Sequence, residues 1–91
     1  MPDVVRIARL HRSTLHRELQ GETVLLQLDS GEYFGLDEVG AEIWRRIESG
    51  HALSQIADCL VERYEVQREE ALKDIVALVS TMSERALVTV A

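Results

Sequence analysis

One cysteine, one proline, one tryptophan, one phenylalanine and two tyrosines are all this 91-residue chain holds of those types. The single Cys59 excludes an internal disulfide. With no secretory apolar segment and no run long enough to span a bilayer, the chain is expected to be cytosolic. Positive charge is also short, with ten Lys and Arg against sixteen Asp and Glu and a net charge of −6. That sign argues against phosphate backbones and anionic lipid, so neither nucleic acid nor membrane is an expected partner. His11, His16 and His51 are scattered, no zinc spacing is present, and no metal is expected. The five glycines fall at turns, a strand and helix ends, not in the strand, Gly-rich loop and helix order that cradles phosphate. Glu69 and Glu70 are neighbours on a helix and point about 100° apart. Glu38 and Glu42 form an i, i+4 pair read as lying on an exposed helix face. Neither pair is a converging acid and base, so no catalytic residue and no cofactor is assigned, and the chain is expected not to be an enzyme.

What is present is the makeup of a folded domain: 46% hydrophobic and 29% charged residues. With no linker, repeat or low-complexity stretch, residues 1–91 read as one domain, residues 1–13 being an extended arm or irregular strand. Strand patterning begins at Thr14 to Leu19, followed by a turn at Gln20, Gly21 and Glu22. In Thr23 to Asp29, Val24, Leu26 and Leu28 alternate with Thr23, Leu25, Gln27 and Asp29, which assigns the first set to the buried face. Gly31 lies in a tight connection to a third strand at about 32–36, giving an antiparallel meander. Alternation there puts Phe34 and Leu36 on one face and Tyr33 on the other.

Asp37 is a helix cap, followed by Val39, Ile43 and Ile47 at four-residue spacing with Trp44 beside them, and Gly50 stops this first helix. A second helix, about Leu53 to Tyr64, carries Leu53, Ile56, Ala57, Leu60, Val61 and Tyr64 on one stripe. A third, about Arg68 to Arg85, has Leu72, Ile75, Val76, Val79, Met82 and Ala86 on its stripe, with Ala71 and Leu78 widening one flank. Leu87 to Val90 are strand-like. The fold class is therefore α+β, a three-stranded antiparallel sheet with three helices.

An open sheet leaves an edge whose backbone N–H and C=O groups have no partner in the domain, and such an edge has to be managed. The third strand is terminal, short, and contains Gly35, which allows another backbone to approach. It is the expected docking edge for an extended peptide.

The segment Asp29 to Trp44, DSGEYFGLDEVGAEIW, resembles the PqqD-like family, the RiPP recognition elements of ribosomal-peptide biosynthesis. The resemblance runs from roughly Leu15 to Val90, through VLLQLDSGEYFGLDEVGAEIW, the helix LSQIADCLVERYEV and the terminal LVTV. One departure is Ala52, where the family often has a Ser or Thr cap. The resemblance implies a winged helix-turn-helix-like fold in which the leader segment of a precursor peptide adds as a strand beside the third strand, in a cleft with the third helix. The backbone of Glu32, Tyr33, Phe34 and Gly35 would pair with the leader, and Ala71, Asp74, Ile75, Leu78, Val79 and Met82 would form the helical wall. Some members are fused to enzymes; this chain looks like a standalone one. Such members include a peptide chaperone of PQQ biosynthesis serving a radical SAM enzyme, and the lasso-peptide protein that delivers a precursor to a leader peptidase. The YFGL segment and the following DEVGAEIW look more like the lasso type.

A winged-helix DNA-binding regulator is the rival from another class, since fold does not fix function. The third helix, with Arg68, Lys73 and Arg85 against Glu69, Glu70, Asp74 and Glu84, carries a net charge of −1, the wrong sign for phosphate. The acidic surface instead leads us to expect a leader with Lys or Arg near Asp74 or the exposed glutamates. Stopped-flow association with leader should then slow as salt rises, and an on-rate unchanged from low to high salt would count against this expectation.

Overall fold

The computed structural model describes residues 8–20 and 22–90. Most of the proposed N-terminal arm, up to residue 7, and Gly21 of the first turn therefore lie outside the described residues. The elements are β1 (Ala8–Leu10), β2 (Thr14–Leu19), β3 (Glu22–Gln27), β4 (Glu32–Leu36), α1 (Glu38–Glu48), α2 (Leu53–Arg63), α3 (Arg68–Glu84) and β5 (Val88–Val90). Strands β2, β3 and β4 form the antiparallel meander, in that order. The strand-like tail does not join it: β5 pairs with β1 as a separate antiparallel two-stranded sheet, Ala8 opposite Val90.

The core lies between the meander and the three helices. Leu25 and Leu36 reach it from the sheet, Ile43, Trp44 and Ile47 from α1, Leu53, Ile56 and Leu60 from α2, and Ile75 and Met82 from α3. Helix α1 starts as its cap dictates, with the Gly40 N–H donating to Asp37 Oδ1 at 2.8 Å. A Cβ on Gly40 would lie 3.2 Å from Leu36 Cδ2, so glycine there lets the first turn of α1 sit close on the end of β4. At α2 the cap position is Ala52, and the Gln55 side chain reaches back to accept from the Ala52 N–H at 2.8 Å, half of a capping box without the hydroxyl. Helix α3 closes in a Schellman arrangement, Ala86 N–H to Ser83 O and Leu87 N–H to Met82 O, with Ala86 at φ 59 and Leu87 buried as the anchor.

Two expectations are corrected. The buried face of β3 is Thr23, Leu25 and Gln27, not Val24, Leu26 and Leu28. Hydrophobicity alone favours the three aliphatic residues, but the register that buries Leu36 puts Leu25 opposite Phe34 and Thr23 opposite Leu36. Gln27 is tolerated inside because both ends of its amide are used. Its Nε2 donates to Ala86 O and its Oε1 accepts from the Asp29 N–H, each at 2.6 Å, tying the end of β3 to the end of α3.

Glu42 is likewise not on an exposed face: it is 3% exposed. Its carboxylate accepts from Arg45 Nη2 at 3.0 Å and Arg46 Nε at 2.9 Å, and Arg63 Nη1 of α2 lies 3.5 Å away. Three guanidinium groups satisfy the buried charge and link α1 to α2. The hydrogen bond from Arg45, helped by Arg46 and Arg63 and opposed by burial, holds the Glu42 carboxyl below its ordinary value of 4.5.

Because the folded-state value is the lower one, this stabilisation is present above the unfolded value and is lost as pH falls through the folded one. Glu42→Gln should cost about 1 to 3 kcal/mol at neutral pH, less than for a fully enclosed pair because the arginines keep contact with water. Urea denaturation of both proteins across the acid range should also show a smaller acid-induced loss of stability in the variant. Equal midpoints at neutral pH would contradict this reading of the cluster.

Candidate functional site

Strand β4 is hydrogen-bonded to β3 alone, so its other edge is open among the described residues. In an antiparallel strand, alternate residues turn both N–H and C=O away from the neighbour, and on β4 these groups face a cleft rather than protein. The opposite edge of the meander, β2, is different in chemistry. It carries His16, Arg17 and Glu18, the kind of charge that keeps an edge from pairing with another chain. On β4 the space beside Gly35 is empty, an added Cβ meeting nothing within 4 Å.

Beside β4 lies a cleft of about 530 Å³ whose lining includes Phe34, Gly35 and Leu36 from the strand, Val39 from α1, and Asp74 and Leu78 from α3. It adjoins a smaller hollow of about 140 Å³ between α2 and α3, lined by Leu60, Tyr64, Val66 and Ala71 and sharing Val39 and Asp74 with the first. The two hollows are neighbours, meeting at Val39 at the start of α1 and Asp74 of α3. Their linings are mainly apolar, with Asp37 and Asp74 the charged residues among them.

The structure divides the site residues expected from the sequence. Glu32, Tyr33 and Gly35 are exposed and Phe34 is half-buried, all on the open edge. Asp74 is exposed and Leu78 is half-buried in the cleft wall. Ala71, Ile75, Val79 and Met82 are buried, at most 4% exposed; Ala71 reaches the floor of the smaller hollow, and Ile75, Val79 and Met82 belong to the core behind the wall. Val79 also lines a separate cleft of about 230 Å³ with Val90 of β5, which no β4 residue enters.

Two features are additional to those residues. The first is Arg85, the C-cap of α3, whose guanidinium carbon lies 5.4 Å from the centroid of the Phe34 ring. Its spacing of 11 from Asp74 and 7 from Leu78 places it on their helical stripe, a signal available from the sequence. The second is the outer face of the sheet. Leu15, Leu26 and Tyr33 stand in one cross-strand row, with Val24 and Arg17 in the next. Leu15 is 55% exposed, Leu19 54% and Tyr33 70%, an apolar surface that follows directly from the face that β3 presents to the core.

Among the described residues no helix is long and apolar enough to cross a membrane, and no three His, Cys, Asp or Glu side chains gather as metal ligands.

Comparisons with known proteins converge on this architecture. The family described as Coenzyme PQQ synthesis protein D (PqqD) matches residues 22–88. A solved structure of TbiB1 in complex with the TbiA(beta) leader peptide is 30% identical, with a TM-score of 0.83 over 88% of this chain and 93% of that one. A lasso peptide synthetase B1 complexed with the leader peptide is 34% identical, with a TM-score of 0.85 over 90% of this chain and 96% of the other. No functionally curated protein matches. The family match spans well over half of the chain and includes the whole of β3, β4 and all three helices, and it agrees with both structural likenesses. The chain belongs to the PqqD-like family of RiPP recognition elements.

Proposed function

We propose that this chain binds the leader segment of a ribosomally made precursor peptide, without catalysing a reaction on it, and presents it to a processing enzyme of a lasso-peptide pathway. The observation that carries the reading is the open edge of β4 beside the α3 cleft, in a chain similar to two B1 proteins solved with leader peptides. The leader adds as a strand to Glu32–Gly35. Main-chain hydrogen bonds supply affinity there, and every second leader side chain enters the groove against Phe34 and Leu78, which sets the register. Burial of Phe34 and Leu78, now half-exposed, adds roughly 25 cal/mol for each Å² of apolar surface removed from water.

The receiving enzyme, a leader peptidase in this reading, meets the outer sheet face. The exposed Leu15 and Tyr33, with the half-buried Leu26 between them, offer it an apolar surface. A leader strand beside β4 lengthens that same face, so enzyme and leader are held side by side.

Leu78→Asp separates these roles. An unpaired charge in the covered groove should weaken binding of a synthetic leader, taken from the precursor encoded beside the gene, by about tenfold or more in calorimetric titration. The backbone amide spectrum of the free variant should stay native, since Leu78 is only half-buried. Leu15→Ser with Leu26→Ser should do the reverse, leaving leader affinity within about twofold and abolishing co-elution with the leader peptidase. Normal leader binding by Leu78→Asp would place the groove elsewhere on the molecule.

A further inference from the structure

The net charge of −6 describes the surface as acidic, but the groove beside β4 is not uniformly so. Asp74, Leu78, Thr81 and Arg85 follow one another at intervals of four, three and four along α3, a single stripe down the helix. Leu78 and Asp74 line the cleft with Leu36, near the C-terminal end of β4. Arg85 sits over Phe34 in the middle of the strand, and the next residue, Ala86, accepts from Gln27, which pairs with Glu32, so this end of α3 lies toward the N-terminal end of β4. The groove wall therefore has an acidic pole and a basic pole, with an apolar and hydroxyl stretch between them.

Arg85 is held at its pole by the fold. It caps α3 immediately before the Schellman turn, and the next two residues are pinned by Gln27 to Ala86 O and by the buried Leu87. No described carboxylate lies within ion-pairing distance of its guanidinium, and none of the described cations pairs with Asp74. Both charges are available to a guest.

We propose that Asp74 and Arg85 are specificity-determining residues that select a leader with a basic residue toward its N-terminal end and an acidic residue further along the same face of the bound strand. The inference rests on strand addition to β4 and adds the charge pattern of the guest. Every pairing in the meander is antiparallel, and a guest continuing that pattern runs opposite to β4. Its N-terminal part then lies by Leu36 and Asp74, and its C-terminal part by Glu32 and Arg85. Eleven residues of helix rise about 16 Å. A strand covers that length in about five residues at 3.3 Å each, and residues on one face differ by even numbers, so the two leader charges are about four or six positions apart. A guest placed backwards sets like charges together at both poles, which costs affinity.

The test uses the full chain and the same synthetic leader. Arg85→Glu should weaken binding by about three- to tenfold at low salt, and Arg85→Lys, which keeps the charge, by less than about twofold. Reversing the leader's acidic residue to Lys should weaken binding to the wild-type chain by a similar factor and restore affinity for Arg85→Glu. Asp74→Lys should show the same rescue with the leader's basic residue reversed to Glu. The peptide-side changes leave the protein untouched, so a folding defect cannot imitate the result. Normal binding by both charge variants, or loss without rescue by any leader reversal, would overturn the charge assignment alone. Failure of the wild-type chain to bind its leader would overturn strand addition itself and this inference with it.

Discussion

A meander of three strands necessarily ends on a strand with one side unpaired, and here that strand is β4. Its outward N–H and C=O groups are satisfied by water or by another chain; covered without partners, each would cost about 1 to 3 kcal/mol. The rest of the structure is arranged around that constraint. Helix α1 begins one residue after β4 and packs tightly on its end through Gly40, while α3 runs alongside to form the other wall. A polypeptide added here as a strand would gain main-chain partners and apolar contact together.

The core explains why a second surface exists. Once Leu25, Thr23 and Gln27 face inward, Val24 and Leu26 have to face outward, because neighbouring residues on a strand alternate sides. Of the inward polar side chains, the Gln27 amide is used at both ends, once by the nearby Asp29 N–H and once by the distant Ala86 carbonyl. The outward Val24 and Leu26 are only half-buried, and with the exposed Leu15, Leu19 and Tyr33 they form an apolar sheet face. Groove and outer face meet along β4, so one short strand borders both.

The helices were readable in the sequence because their apolar stripes persist over several turns: α2 and α3 end within one residue of the periodic pattern. The turn at Gly31, the cap at Asp37 and the outward side of Tyr33 were equally legible, each being set by local geometry. The inward face of β3 was not. Its pattern reads as alternating aliphatic and mixed residues, and only pairing with β4 and the long-range bond from Gln27 to Ala86 decide which set is inside. Glu42 was misplaced for the same reason, since two of its three arginines are on its own helix but the third, Arg63, comes from α2. In the candidate site, the open edge and Leu78 followed from strand order and the widened stripe of α3. The division of the remaining wall residues between groove and core required knowing which side of α3 faces β4.

The most direct measurement is residue-resolved amide hydrogen exchange of the chain, free and with excess leader. The N–H groups of Glu32–Leu36 that do not bond to β3 should exchange freely in the isolated protein and slow by at least about tenfold when leader is bound. Exchange along β2 should be unaffected. Protection that appears on β2, or leader binding that leaves every β4 amide exchanging as before, would contradict completion of the sheet at this edge.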